Sequence, residues 1–433
     1  MRRLFKIVVL IFSVVIANAQ DLLTLDEALK IALQKNHDVL MVKNEQEVSR
    51  LQNNLGNAGM SPTLGVVGSI STSNLDSYQE FNNGTVQDRP GASAFGTGAS
   101  INLDWTIFDG FRMFAVKKRL KLSEEFSEIA LKQQMENTVY DIIVAYHNIA
   151  RVKELIKAAE QNLLLYEERR KIAQVRLEIG SDSKVDLLLS KSDENRARSN
   201  IIQLQLELLD TKVRLNTLLG RAVNTEFNTV DTIIVEFDPN LDELKKVAYD
   251  GNSALLLSRK NEQIADQGLA EVRSGSLPFL TVGASYLFTR NQSQAGFVLL
   301  NRQNGLNADI SFRWNLFNGG RTHRLIQERN ILALNQRYFT ERTQLQIDGV
   351  VYINYQSFLL NKKIVEMELQ NLADSRQVQA ISLERYKLGK TGLLETIETQ
   401  KNLEDAQVRY INALYNTKLA EAGLLRVNGS LVK

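Results

Sequence analysis

One stretch of this chain is used twice. The octet LDWTIFDG ending at Gly110 returns as FRWNLFNG ending at Gly319, so Trp105, Phe108 and Gly110 stand 209 residues ahead of Trp314, Phe317 and Gly319. The same offset relates Ile142, Tyr146 and Ile149 to Val351, Tyr355 and Phe358, Arg176 and Gly180 to Arg385 and Gly389, and Gly220 to Gly429. Upstream the offset becomes 216, pairing Leu25-Asp26-Glu27 with Leu241-Asp242-Glu243, and Pro62 with Pro278. Short repeats of 20–50 residues build solenoids, whereas one long duplication builds two pseudo-equivalent halves of a single architecture. The halves run over about 20–220 and 241–433, joined by a linker over about 221–240.

Helix breakers are scarce in both halves. The chain has four prolines in 433 residues, and from about 111 to 177 there is neither proline nor glycine. The matching stretch, about 321 to 388, has no proline and one glycine, Gly349. Each predicts a helix of roughly 67 residues, on the order of 100 Å at 1.5 Å per residue. Met135, Val139, Ile142, Tyr146 and Ile149 alternate at spacings of 3 and 4, as do Val351, Tyr355, Phe358, Val365, Leu369 and Leu372, apart from Lys362, so the packing expected is of the coiled-coil kind. Gly180 and Gly389 follow the last periodic residue, where a C-cap glycine reverses the chain. Helices of about half the length return over about 184–219 and 393–427, and others open each half at about 25–59 and 241–275. Two half-length helices laid end to end match one long one.

Between the opening and the long helices the period falls from 3.6 to 2. Alternating strands are expected at about 63–74 and 95–107, and again at about 279–289 and 305–316, with polar loops between. A hairpin half-buried on a soluble core has the same pattern. These strands, however, reach the 9–11 residues that span an outer membrane, and Trp105 and Trp314 sit near their helix-proximal ends, where interfacial aromatics occur. A lone four-stranded sheet in lipid leaves two edges of unpaired backbone, so closure requires further copies: two give eight strands with a filled interior, three give twelve with a wider lumen.

The chain opens with Arg2, Arg3 and Lys6, an apolar run from Ile7 to Ile16, and Ala17-Asn18-Ala19, the pattern of a signal peptide over 1–19. Without those basic residues the charge is near −1, which offers nucleic acid no footprint. There is no cysteine, hence no disulfide and no lipoprotein thiol. Catalysis has nothing to rest on. Gly389-Lys390-Thr391 lacks the glycine of a phosphate loop, with Glu384 in its place. His37, His147 and His323 are too scattered for a metal site, and no nucleophile elbow or dinucleotide loop is present. No enzyme activity, cofactor or metal is expected.

Taken together, the tandem repeat, the proline-preceded strands, the aromatic strand ends before Gly110 and Gly319, and the Arg-x-x-x-Gly turns at Arg176–Gly180 and Arg385–Gly389 resemble the TolC-like outer membrane efflux proteins over essentially the whole exported sequence. The resemblance implies a mainly α fold with membrane β: a homotrimer in the outer membrane of a Gram-negative bacterium, with a shared 12-stranded barrel and a periplasmic helical tunnel. It implies docking to an inner-membrane pump through a periplasmic adaptor near the turns at Arg176, Gly180, Arg385 and Gly389, and strand-to-helix junctions at Trp105, Gly110, Trp314 and Gly319. It also implies constricting acidic rings at Glu395 and Glu398, with Asp186 as the first-half counterpart of Glu395 and Leu189 in place of a second acid. The competing explanation is that glutamates in a first helical turn complement the helix dipole. The function expected is a passive exit duct for efflux or type I secretion; the other class consistent with the residues is an exported structural or adhesive coiled coil without a pore.

Overall fold

The computed structural model describes residues 22–230, 232–235, 237–295 and 298–432; the expected signal peptide lies outside them. The chain divides into two compact units, one formed by the described residues up to Leu40, Met135–Lys245 and Val350 onward, the other by Met41–Gln134 and Lys246–Gly349.

In chain order the elements are β1 (Leu22–Leu23), α1 (Leu25–Lys35), α2 (His37–Gln52), β2 (Thr63–Glu80), β3 (Val86–Phe108), α3 (Arg112–Glu178), α4 (Lys184–Leu218) and β4 (Asn228–Thr229). The second half follows with α5 (Leu241–Gly251), α6 (Ser253–Arg273), β5 (Phe279–Ser293), β6 (Leu300–Arg313), α7 (Arg321–Lys387) and α8 (Leu393–Val427). The helices α3 and α7 each have 67 residues.

In the first unit the apolar seam of α3 is the core. Ile142, Ala145, Tyr146 and Ile149 pack with Ala28 and Ala32 of α1, Leu215 of α4 and Phe227. The Tyr146 hydroxyl donates to the Leu23 carbonyl at 2.9 Å and accepts from the Val230 amide at 3.2 Å, tying down the ends of the short parallel pair β1–β4. On α7, Val351, Phe358 and Leu372 are buried as their spacing predicts, but Leu369 is exposed.

The opening helices are each split. Asn36 ends α1 with ψ near 127°, accepts the Asp38 and Val39 amides on its Oδ1 at 2.9 and 3.1 Å, and donates its Nδ2 to the Leu218 carbonyl at 2.8 Å. Asn252 caps α6 in the same way, accepting the Leu255 amide at 3.1 Å. Asparagine offers the backbone an alternative partner, and the helix restarts on it.

In the second unit the strands form one antiparallel sheet in the order β2–β3–β5–β6. The first hairpin runs further than its alternation predicts. Pairing continues from Leu75↔Ala92, past an irregularity, to Glu80↔Val86. At the irregularity Gly91, with φ +66°, donates its amide to Asp76 Oδ1 at 2.6 Å, beside Pro90, which has no amide to give. The extension carries only scattered apolar residues, Leu75, Tyr78 and Val86, without sustained alternation, so the pattern reads as loop while the ladder simply continues. The second hairpin likewise extends to Ser293 and resumes at Leu300.

Candidate functional site

Two features of the fold hold the candidate site residues: the sheet with its base, and the pair of interhelical turns. Register places Val66, Ile101, Tyr286 and Leu306 in one row across all four strands. Their exposures are 77, 50, 53 and 73 %, an apolar band with nothing covering it. The outer edges, β2 and β6, carry unpaired backbone. A soluble sheet would bury such a face.

The base of each hairpin is closed by its tryptophan. Trp105 Nε1 donates to the Met60 carbonyl at 3.0 Å and Trp314 Nε1 to the Ser276 carbonyl at 3.2 Å, equivalent positions in the two halves. Beyond them Gly110 and Gly319 adopt φ of +69° and +66°, which turns strand into helix. Gly320 follows in the same conformation, but its first-half counterpart is Phe111 at φ +70°, a left-handed non-glycine residue. Its ring meets Phe108 edge-on at 5.1 Å.

Each long helix ends in a Schellman turn. Gly180 has φ +77°, with the Ser181 amide donating to the Arg176 carbonyl at 2.8 Å; Gly389 has φ +71°, with Lys390 donating to Arg385 at 2.9 Å. Beyond the turns the halves diverge. Ser183 and Asp186 form a reciprocal capping box on α4. Gly392 gives α8 no side-chain cap, and Glu395 there accepts from Arg385 Nη1 at 3.1 Å and from the Thr391 hydroxyl. Glu398 lies exposed one turn on. The acids at 186 and 395 are thus engaged at their own helix starts.

Sequence reasoning missed the residues that join the two turns. Arg176 pairs with Asp182 at 2.8 Å, donates Nη1 to the Tyr386 carbonyl at 2.7 Å and lies 4.8 Å from the centre of the Tyr386 ring. The fully buried Tyr386 donates its hydroxyl to Asp182 Oδ2 at 2.7 Å. Burial, then the Asp182 carboxylate, push the phenol above its ordinary pKa, which keeps the proton on the donor. By the repeat offset Tyr386 matches Leu177 and Asp182 matches Thr391, so comparing the halves for identities hides both. Deeper in this unit the fully buried Arg169 of α3 pairs with Asp193 of α4 and donates to Gln400 of α8 at 3.1 Å. Asn162 donates to Gln407 at 2.7 Å. These buried polar links fix the register of the three helices.

Among the described residues no group of three or more His, Cys, Asp or Glu side chains is placed to hold a metal ion. Nor is any described helix long and apolar enough to cross a membrane. An edge-open sheet with a bare apolar band, continued into 67-residue helices, defines the class as an outer-membrane channel subunit that meets lipid through strands. The comparisons agree. The sequence pattern of the outer membrane efflux protein family matches residues 28–221 and again 246–430, one match for each half, and the chain belongs to that family.

Among curated relatives, the outer membrane efflux protein BepC of Brucella suis biovar 1 is 21 % identical over 348 residues, covering 76 % of this chain and 72 % of its own. The outer membrane protein TolC of Escherichia coli is 18 % identical over 390 residues, covering 87 % and 76 %. Of solved structures, the outer-membrane channel OprN superposes with a TM-score of 0.79 at 16 % identity, covering 94 % of this chain and 90 % of its own. VceC of Vibrio cholerae gives 0.78 at 15 %, covering 94 % and 96 %. The protein is thus an outer-membrane efflux protein with the TolC-like fold.

Proposed function

We propose that three copies close a 12-stranded barrel and that the assembly is a passive exit duct, coupled through a periplasmic adaptor to an energised inner-membrane pump. The observation that carries this reading is the sheet with two open edges and a continuous exposed apolar row, because only closure by further copies satisfies both in lipid. Three copies are preferred over two because eight strands leave an interior filled by side chains, not a conduit. The turns at Arg176–Gly180 and Arg385–Gly389 are the proposed adaptor docking points. Exposed Ile179, Leu188, Leu388 and Leu394 beside them supply apolar contact surface.

In the trimer, Glu395, Glu398 and Asp186 would gather around one axis and favour cations there. The test is recording in planar bilayers. The wild-type protein is expected to need detergent for extraction, to conduct ions and to be blocked by a trivalent cation; Glu395→Gln with Glu398→Gln should weaken that block at least tenfold. A freely soluble monomer without conductance would reject the duct, whereas conductance with unchanged block would remove only the role of the two glutamates.

A further inference from the structure

We propose that Arg112, Arg119 and Arg329, at the helical base of the sheet, form a site for the phosphodiester of an anionic phospholipid. These three arginines line a cavity of about 450 Å³ floored by α6, with Leu332 among its apolar walls. Its one carboxylate, Glu271, is taken by Arg119. Neither Arg112 nor Arg329 has a carboxylate within ion-pairing distance among the described residues. A second hollow of about 280 Å³ shares Arg112 and Arg119 and reaches Thr106 of β3 and Phe279 of β5. The carboxylate there, Asp109, already accepts the Met113 amide at 3.0 Å. Arg112 and Arg329 thus face open space without an ion-pair partner, Asp109 being the one carboxylate that lines the hollow beside Arg112. Their planar, paired donors fit phosphate oxygens better than a lysine would.

Position selects a lipid over a free phosphate ester. Arg112 lies between Phe111 and Phe114, which are 61 and 56 % exposed, and follows by a few residues the strand end marked by Trp105. Exposed aromatics beside a strand end mark the headgroup level of a membrane, so the guanidinium groups lie where lipid phosphates lie. The floor is kept open by a helical glycine: a Cβ at Gly268 would meet nothing within 4 Å. Glycine weakens the middle of a helix, and here it leaves room that a side chain would fill.

The test is native mass spectrometry of the assembled full-length protein, equilibrated in detergent with phosphatidylglycerol or with phosphatidylethanolamine of the same chains. Wild type is expected to retain about one phosphatidylglycerol per chain and to prefer it at least tenfold. Arg112→Gln with Arg329→Gln should abolish the preference. Gly268→Leu, which keeps every arginine, favours the helix and narrows the cavity, should abolish it as well. Gel filtration of each variant reports assembly. Three results would overturn the proposal: no preference in the wild type, an unchanged preference in both variants, or displacement of the lipid by sn-glycerol 3-phosphate at equal concentration, which would assign the arginines to soluble phosphate esters.

Discussion

Gly110 and Gly319 occupy equivalent left-handed positions, yet their surroundings differ. A Cβ at Gly110 would stand 2.5 Å from the Ser274 carbonyl oxygen, whereas one at Gly319 would meet nothing within 4 Å. Gly319→Ala should therefore cost only the backbone term, about 1–2 kcal/mol. Gly110→Ala must also displace main chain and should cost more, with a correspondingly lower melting temperature of the assembled protein; equal melting points would show that the Ser274 contact yields freely. A second residue makes stability depend on pH. His147 is buried on α3 with no hydrogen-bond partner at either ring nitrogen, and burial, helped by the Lys418 charge, lowers its pKa from 6.5 to about 4. The unfolded chain then binds a proton that the folded one refuses, so the full stability is present above about pH 6.5 and is lost as pH falls toward 4, by up to about 2–3 kcal/mol. His147→Leu should flatten the melting temperature across that window relative to wild type; parallel curves would mean that the imidazole does not titrate there.

At the scale of elements, the link between the two turns is the place where the halves stop being equivalent. Tyr386→Phe keeps the ring under Arg176 and removes only the hydroxyl that holds Asp182. The loss is expected at about 1–3 kcal/mol for a buried donor facing a carboxylate. Amides of residues 178–184 and 387–392 should then exchange at least tenfold faster, with α3 near Ile142 unaffected; unchanged exchange at the turns would show that Arg176 alone suffices. What the sequence makes legible follows the same division. The 67-residue helices and the strands are readable because breakers and periodicity mark them directly. The restarts at Asn36 and Asn252 are not, because asparagine carries no periodic signal and its effect is a local hydrogen bond. The extension of β3 back to Val86 is hidden because neither face of it is apolar. The turn arginines and glycines could be found because both halves keep them, and Tyr386 and Asp182 could not, because only one half has each.

At the scale of the whole molecule, the sheet order β2–β3–β5–β6 sets how copies would join in the proposed barrel. Four antiparallel strands leave β2 and β6 running in opposite directions, so a seam between β6 of one copy and β2 of the next continues the same antiparallel ladder. Such a seam would be head-to-tail, would use two different edges, and would close only by rotation about the barrel axis. The number of copies sets the lumen, and the chain itself offers a clean way to count them, since it contains no cysteine. A cysteine introduced at Ser69 of β2, combined in turn with one at each position from Asn307 to Ser311 of β6, should form disulfides across the seam in at least one pairing. Under non-reducing denaturation the products should climb to three chains and stop. A ladder ending at two would mean an eight-stranded barrel with a filled interior and would reject the duct, and one running past three would mean that the edges join without closing; the single-cysteine proteins, each with only one side of the seam labelled and one thiol per chain, should remain single chains.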